Sequence, residues 1–249
     1  MIMSPKNGVS LLQTKLQTHV FKDGGEHHGH PGITPEELVD AEAHFAHTGG
    51  EADHGDVGGD RMSEMRHNYA PTYAKFLSRL LRGATPTANP KIAEVGILTG
   101  TGLGMWSRLF PQSDVFGFDL NTSSFLSNRG HLTTLGMQDA RVLVQTMNQM
   151  EDNIELLQST FGKDTRLSIV VDDGYHIPEA GEKTFISFRP FLEDRFVYFI
   201  EDLTKNSIEE GKWEIVKKRI MLTCEDCAFG IECPPTSDKD ECMAVISRL

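Results

Sequence analysis

Two apolar runs of the chain each end in a pair of acidic residues. "SIVV" is followed by Asp172 and Asp173, and "FVYFI" is followed by Glu201 and Asp202. If both runs are neighbouring parallel strands, the four carboxylates meet at one edge of the sheet, where they repel and raise one another's pKa. A divalent cation relieves this repulsion, and Mg²⁺ prefers oxygen ligands and keeps waters that substrate hydroxyls can replace. We therefore favour a metal site over the alternative, which is acids that cap helices or face solvent.

A histidine follows the first acidic pair. His176 lies three residues after Asp173, in the segment that leaves the predicted strand. A neutral imidazole can take the proton of a hydroxyl whose pKa a metal ion has lowered. We interpret His176 as a general base. The alternatives are a third metal ligand and a residue that merely lies beside a helix N-terminus.

A glycine-rich turn, "EVGILTGTGLG", follows the first predicted strand of the α/β region. Its glycines are Gly96, Gly100, Gly102 and Gly104. Glycine lets the backbone come close to a ligand. Asp119 ends the next strand, 23 residues after Gly96, and an acid there can bind the two hydroxyls of a ribose. The turn lacks the Gly-Lys-Ser/Thr of a phosphate-binding loop. The pattern predicts a nucleoside-containing cofactor; the alternative is a turn that only packs a helix on the sheet.

The acid at the start of this turn indicates which cofactor. Glu94 would repel a pyrophosphate, but it suits a cofactor with a positively charged end. S-adenosylmethionine carries a sulfonium and an α-amino group and has no phosphate. The alternative for Glu94 is a carboxylate that caps backbone N–H groups of the loop.

The elements that must position these residues alternate regularly from residue 91 onwards. Strands are predicted at residues 91–98, 114–120, 140–146, 167–173 and 196–202, and helices at 100–110, 123–136, 153–162, 178–192 and 207–218. Strands that alternate with helices predict an α/β fold with a doubly wound, mostly parallel sheet. Residues 219–226 and 242–249 are predicted to add a terminal β-hairpin, which brings the sheet to seven strands.

The first 60 residues differ from the rest of the chain. Residues 22–32 and 47–60 are rich in glycine, histidine and acids and have no apolar period, so they predict loops or poorly ordered segments. His27, His28 and His30 could bind a metal, but we favour solvated loop histidines.

Two helices are predicted between this region and the first strand. Thr34 is a typical N-cap, with Pro35 at the first helical position. Residues 61–83 have apolar side chains at helical spacing; Pro71 either separates two helical pieces or opens the second, and Gly83 ends it. We divide the chain into an N-terminal helical and loop extension, residues 1–60, and a main domain, residues 61–249.

Composition excludes some classes of partner. The 249 residues carry a formal net charge of −12, and such an acidic chain repels the phosphates of nucleic acids. No apolar run approaches the ~20 residues of a membrane span. The start of the sequence lacks a basic region followed by an apolar core, so we see no secretory signal and expect a cytoplasmic protein. Homo-oligomerisation is left open.

The cysteines are unevenly distributed. Cys224, Cys227, Cys233 and Cys242 all lie in the last 26 residues, in the pattern C-x2-C-x5-C-x8-C. Only the first pair has the spacing of a zinc knuckle or ribbon. Reduced cysteines, a zinc cluster and two disulfides all stay open at this point.

The motifs "EVGILTG", "VFGFDLN", "VDDGYH" and "FIEDL" together resemble the metal-dependent class I S-adenosylmethionine methyltransferases of the macrocin and mycinamicin sugar O-methyltransferase type, over about residues 55–249. The resemblance implies a Rossmann-like class I methyltransferase fold. It also implies that Asp173, Glu201 and Asp202 hold Mg²⁺ and that His176 is the base. Tyr175 departs from the family, whose members often carry serine there.

The resemblance also implies a cofactor site. We assign to it Glu94, Gly96, Thr99, Gly100, Gly102, Asp119, Asn148 and Asp172. Asn148 stands where the family tends to have an acid, and a contact to adenine is expected from it; Asp172 is also interpreted as a structural acid. The segment "GGDRMSEMRHNYAPTY" is similar to a motif upstream of the family's sheet, which implies that Asp60, Arg61, His67 and Tyr69 close over the cofactor or substrate.

The prediction is thus a Mg²⁺-dependent S-adenosylmethionine O-methyltransferase that acts on a hydroxyl of a small molecule, such as a sugar-containing natural product or a similar diol. Methylation of a catechol or of nitrogen is an alternative, and so is a catalytically silent scaffold that binds cofactor and metal. The sequence does not identify the acceptor.

Overall fold

The computed structural model describes residues 32–46, 59–82, 89–234 and 241–249. Within these ranges the strands are β1 (Ile92–Val95), β2 (Val115–Asp119), β3 (Val142–Thr146), β4 (Leu167–Asp172), β5 (Leu192–Thr204), β6 (Ala228–Glu232) and β7 (Glu241–Arg248). They form one sheet in the order β3-β2-β1-β4-β5-β7-β6. Strands β1 to β5 are parallel, and β7 is antiparallel to both β5 and β6. The predicted seven-stranded, mostly parallel sheet is confirmed.

The helices of the same ranges are α1 (Pro35–Phe45), α2 (Ala70–Leu81), α3 (Thr101–Leu109), α4 (Ser123–Thr134), α5 (Ile154–Phe161), α6 (Pro178–Phe188), α7 (Lys205–Glu209) and α8 (Lys212–Thr223). No helix in these ranges is both long and apolar enough to cross a membrane. The predictions for His27, His28, His30 and Gly83 concern positions outside the described residues, and so do most of the two loops predicted before residue 61.

The terminal hairpin is present, but its first strand is not the one predicted. Residues 219–223 continue α8. The first strand of the hairpin is β6, which begins at Ala228 and pairs with β7. The prediction of a strand at 219–226 was wrong because Trp213, Val216 and Ile220 recur at helical spacing, and all three are buried. Burial of this stripe against the sheet outweighs the strand propensity of a short apolar run.

Helices cover both faces of the sheet, and the strands therefore alternate between two cores. On β5, Val197 and Phe199 belong to the core under α1, α2 and α3, whereas Phe196 and Tyr198 belong to the core under α5, α6 and α8. Successive side chains of a strand point to opposite faces. With both faces buried, the charged side chains of β4 and β5 collect where the strands end.

The N-terminal helices close one face of the sheet. Thr34 and Glu37 form the capping box that starts α1. Phe45, the last residue of α1, packs so closely on Gly104 of α3 that an added Cβ would lie 2.7 Å from its ring. Pro71 lies in the first turn of α2, and residues 61–69 form turns, so the proline opens the second of the two predicted pieces and the first is not helical. This turn segment leads the chain across the carboxyl ends of β4 and β5.

Candidate active site

A cavity of about 650 Å³ opens at the carboxyl edge of the sheet. The ends of β1, β2, β4 and β5 line it, together with the turn segment before α2 and residues 147–150 after β3. In a doubly wound sheet this edge is where ligands bind. The cavity has two sides that differ in chemistry, one around Gly96 and Asp119 and one around Asp173 and Asp202.

The first side is formed by the turn after β1. Gly96 has φ +83°, and a Cβ there would lie 2.0 Å from the carbonyl oxygen of Asp173, so glycine is required where the ends of β1 and β4 touch. Asp119 Oδ2 accepts from the backbone N–H groups of Ile97 (3.0 Å) and Leu98 (3.1 Å). Both Gly96 and Asp119 line the cavity, as does Asn148. These three predicted cofactor residues are therefore brought together.

The other glycines of the turn have a packing role. A Cβ on Gly100 would lie 2.5 Å from the ring of Phe125, and one on Gly102 would lie 2.1 Å from a carboxylate oxygen of Glu94. Neither glycine is among the residues that line the cavity, and Thr99 is not either. For these positions the alternative considered from the sequence, a turn that packs a helix on the sheet, accounts for the glycines.

Glu94 is buried behind the cavity wall, with 1% of its surface exposed. Its Oε2 accepts from the indole N–H of Trp106 (2.7 Å), and its Oε1 accepts from Nη2 of Arg61 (3.0 Å). The cation that faces Glu94 in the structure is thus Arg61. In the turn, the backbone N–H groups of Ile97 and Leu98 bond to Asp119 instead.

On the second side, consecutive carboxylates of β5 turn toward the same segment. In a regular strand the side chains of Glu201 and Asp202 would point to opposite faces. The pairing of β5 with β7 shifts register between Ile200 and Leu203, and Asp202 adopts φ +58°. A bulge of this kind re-aims side chains. As a result both Glu201 and Asp202 contact the residues between 60 and 73.

Arg61 lies at the centre of the acidic side. Its Nη2 is 2.8 Å from Asp173 Oδ2 and 3.0 Å from Glu94 Oε1, and its Nε is 2.8 Å from Glu201 Oε2. Only 9% of the Arg61 side chain is exposed. Tyr73 donates a hydrogen bond to Oε1 of Glu201, so both oxygens of that carboxylate have partners. Burial raises the pKa of Glu201 well above its usual range, while the charge of Arg61 opposes the shift.

Asp202 is held by two other residues of the same segment. The hydroxyl of Tyr69 donates to Asp202 Oδ1 (2.9 Å), and His67 Nδ1 lies 3.0 Å from the same oxygen. His67 is also 3.2 Å from Glu241 and 3.4 Å from Asp60. Burial by itself would lower the pKa of His67, but the hydrogen bonds to Asp202 and Asp60 raise it to about 10. His67 is therefore an imidazolium at neutral pH.

One group of donors facing the cavity fits a divalent cation. Asp173, His176 and Asp202 each offer a ligand atom, and these atoms lie within 4.8 Å of one another. Two carboxylates and an imidazole form a suitable donor set. His176 is exposed and adopts φ +53°, a left-handed conformation that is uncommon outside glycine and is often found at functional sites. Glu201, the third ligand implied by the resemblance, is not in the group. A second group of three possible metal ligands consists of His67, Asp202 and Glu241. In this group the imidazolium of His67 already contacts both carboxylates.

Asp172 does not reach the cavity wall. It is 3% exposed, and its Oδ1 accepts from Nε2 of Gln149 (2.6 Å). Burial raises its pKa to about 6. Gln149 also accepts from the backbone N–H of Tyr175 (2.8 Å), and a Cβ on Gly174 would lie 2.0 Å from its amide oxygen. Gln149 therefore fixes the loop that carries His176. The sequence signal for this residue is weak and consists of its position beside Asn148.

The C-terminal hairpin contacts the acidic side. The structure pairs Cys224 with Cys227 and Cys233 with Cys242, so of the three alternatives for these residues it contains the two disulfides. The carbonyl of Cys242 accepts from the hydroxyl of Tyr69 (3.4 Å). Glu241 and Cys242 are residues whose position beside His67 and Tyr69 no sequence pattern indicated.

Comparison with known proteins gives a consistent result. No family model matches the chain. In sequence it is 25% identical, over 144 residues, to the 8-demethyl-8-(2-methoxy-alpha-L-rhamnosyl)-tetracenomycin-C 3'-O-methyltransferase of Streptomyces olivaceus, an alignment that covers 55% of this chain and 32% of that protein. The chain thus spans about a third of this curated relative.

The solved structures that are similar to the chain include two methyltransferases. MycE methyltransferase from the mycinamycin biosynthetic pathway, in complex with Mg, SAH and mycinamycin VI, superposes with a TM-score of 0.51 at 18% identity, over 72% of this chain and 48% of that one. The O-methyltransferase from Bacillus cereus in complex with SAH gives a TM-score of 0.52 at 13% identity, over 65% of this chain and 75% of that one. The predicted resemblance is confirmed, and the fold of the chain is that of the class I S-adenosylmethionine-dependent methyltransferases.

Proposed function

We propose that the chain is an S-adenosylmethionine-dependent O-methyltransferase that uses Mg²⁺ or another divalent cation and acts on a hydroxyl of a small molecule. The observation that carries the proposal is that two chemically different sides belong to one and the same cavity. Asp119 and Gly96 line one side, and Asp173, His176 and Asp202 line the other. Transfer of a methyl group to a chelated hydroxyl requires a site for the cofactor ribose beside a group of residues that binds a cation.

The residues of the first side fit the cofactor. Asp119 would bind the ribose hydroxyls, and the backbone at Gly96 would approach the methionine part, since no Cβ blocks it. Asn148 is proposed to contact the adenine. Its side-chain amide already donates to Glu151 and its carbonyl accepts from the N–H of Met150, so it is held in place within the cavity wall. Bound S-adenosylmethionine supplies an electrophilic methyl group.

The residues of the second side fit the acceptor and the cation. Asp173 and Asp202 are proposed to hold the divalent cation, whose charge would orient the acceptor and lower the pKa of its hydroxyl. A ring nitrogen of His176 lies within 4.8 Å of an oxygen of each acid, and His176 lines the cavity, so it can take the hydroxyl proton at a ring nitrogen. Both oxygens of Glu201, the third ligand that the resemblance implies, have partners within the protein. Orientation of the acceptor against the methyl group supplies much of the expected rate.

The acceptor is proposed to be a sugar or another vicinal diol. The name of the sequence relative describes 3'-O-methylation of a rhamnosyl-tetracenomycin, and MycE was solved with mycinamycin VI. Two adjacent oxygens can reach one cation, which suits two carboxylate ligands that leave coordination positions open. A catechol has the same pair of oxygens and is the alternative acceptor.

The test combines calorimetry with methyl transfer. We expect S-adenosylmethionine to bind, and labelled methyl to appear in glycosides with free vicinal hydroxyls; EDTA should abolish the transfer and added Mg²⁺ restore it. His176→Ala should lower turnover by about 10²–10⁴-fold with unchanged cofactor affinity, because general base catalysis is worth that much. His131→Ala, at an exposed histidine of α4, is the matched control. Absence of cofactor binding, or EDTA-resistant transfer, contradicts the proposal.

A further inference from the structure

Arg61 contacts three carboxylates, each of which belongs to a different strand. Glu94 lies on β1, Asp173 follows β4, and Glu201 lies on β5. A guanidinium keeps its charge under all ordinary conditions, and its planar fork can bind several carboxylates at once. The acidic edge of the sheet therefore already contains a permanent internal cation.

The three acids of the predicted metal site are not equally available. Glu201 is 2% exposed, and its two oxygens bind Arg61 and Tyr73. The side chains of Asp173 and Asp202 are 26% and 19% exposed, and both line the cavity. Arg61 contacts Oδ2 of Asp173, while Tyr69 and His67 contact Oδ1 of Asp202. The aspartates can each present an oxygen to the cavity without breaking the contacts just described, whereas Glu201 would have to break two.

We propose that Arg61 is a positioning residue that withholds Glu201 from the divalent cation, so that the cation is held through Asp173 and Asp202 and its affinity is set by Arg61. The inference rests on the proposed function, because it concerns the same cation. Arg61 lowers the affinity in two ways. It occupies a carboxylate that would otherwise coordinate, and its positive charge repels a second cation nearby.

The same contacts of Arg61 also stabilise the protein when no metal ion is bound. Glu94 and Glu201 are almost completely buried, and buried carboxylates without a partner are costly. Arg61 gives both of them a positively charged partner whether or not a cation is present. The cavity can therefore keep its shape when the cation leaves, at the expense of weaker metal binding.

The experiment is a titration of the full chain with Mn²⁺, followed by the EPR signal of the free ion and by calorimetry, without cofactor or acceptor. Glu201→Gln should change the affinity by less than about threefold, whereas Asp202→Asn should reduce it more than about thirtyfold. Arg61→Met should increase the affinity at least about tenfold, and Mn²⁺ should raise the melting temperature of this variant more than that of the unmodified chain. Arg141→Met, which removes a surface ion pair with Asp114, is the control.

The outcomes separate the two proposals. Equal losses in Glu201→Gln and Asp202→Asn, or an Arg61→Met variant that binds Mn²⁺ no better, overturn the role of Arg61. If Arg61→Met does not fold, Glu201→Gln against Asp202→Asn still decides. The expected Mn²⁺ affinities in a chain that does not bind S-adenosylmethionine would support the role of Arg61 and contradict the proposed function.

Discussion

The two sides of the cavity are held together by different means. On the side around Gly96 and Asp119, Asp119 bonds to backbone N–H groups only 22 and 21 residues earlier in the chain. On the acidic side, Arg61 reaches Asp173 across 112 residues, and Tyr73 and Tyr69 reach Glu201 and Asp202 across 128 and 133 residues. The first side is a local strand-turn-helix structure. The second is an assembly of charges from distant segments.

This difference has a physical consequence. A carboxylate that accepts backbone hydrogen bonds needs no counter-ion, so Asp119 can change without disturbing other charges. The acidic side depends on a balance among Asp173, Glu201, Asp202, Arg61 and His67, and removal of one member leaves another uncompensated. We therefore expect the two sides to be separable by mutation, with larger effects on the acidic side.

The largest effect is expected for Asp202→Asn. The change removes a carboxylate that faces the cavity and leaves His67 with one anionic partner fewer. Turnover should fall roughly a thousandfold, because loss of this proposed metal ligand would remove several kcal/mol of transition-state stabilisation. The affinity for S-adenosylmethionine, measured by calorimetry, should stay the same.

Asp194→Asn provides the control for this prediction, because Asp194 lies on the same strand and its side chain is fully exposed. It should leave both turnover and cofactor affinity unchanged. A parallel loss of cofactor binding in Asp202→Asn would show that the two sides are coupled, which would remove the contrast drawn above.

A smaller effect is expected for Asp119→Ala. The variant loses the proposed hydrogen-bond acceptor for the ribose hydroxyls and leaves the N–H groups of Ile97 and Leu98 without the Asp119 carboxylate as partner. Hydrogen bonds to a charged group are worth about 1.5–3 kcal/mol, so the affinity for S-adenosylmethionine should fall about 10- to 100-fold. Binding of Mn²⁺ should not change. Asp114→Ala, just before the start of the same strand, is the matched control.

The same contrast explains what the sequence could predict. Alternation of strands and helices was enough to predict a doubly wound, mostly parallel sheet, and the strand ends brought Gly96, Asp119, Asp173 and Asp202 to one cavity. These inferences depend on local patterns and on the general rule that parallel strands end at one edge. The wrong prediction of a strand at 219–226 has the same origin. The apolar stripe through Ile220 stabilises a helix only when the sheet is present to bury it.

The partners of the acids could not be predicted in this way. The segment around Arg61 was expected to close over the ligand, but the contact of Arg61 with Glu94 depends on how a turn segment crosses the sheet. Nothing in the spacing of the residues encodes that path. The bulge that turns Glu201 and Asp202 to one side is equally invisible, because it depends on pairing with β7.

The smallest effect is expected for a buried acid beside the charged residues of the acidic side. Glu42 of α1 is 3% exposed and accepts from the backbone N–H of Met62 (2.8 Å). Burial raises its pKa to about 7, although the charge of Arg61 opposes the shift. The folded chain thus holds a proton on Glu42 at pH values where the unfolded chain has lost it. Stability should therefore fall as pH rises from about 4.5 to about 7, and stay at the lower level above that.

Glu42→Gln should remove this dependence, because glutamine has no proton to lose and can still accept from Met62. At pH 8 the variant should be more stable than the unmodified chain by on the order of 1–3 kcal/mol, and at pH 4.5 the two should be nearly equal. Urea denaturation at both pH values measures the difference, with Asp40→Asn, an exposed acid of the same helix, as the control. If Glu42→Gln were instead the less stable at pH 8, the anion of Glu42 would be stabilised by Arg61. The charge balance of the acidic side would then extend into α1, beyond the residues that line the cavity.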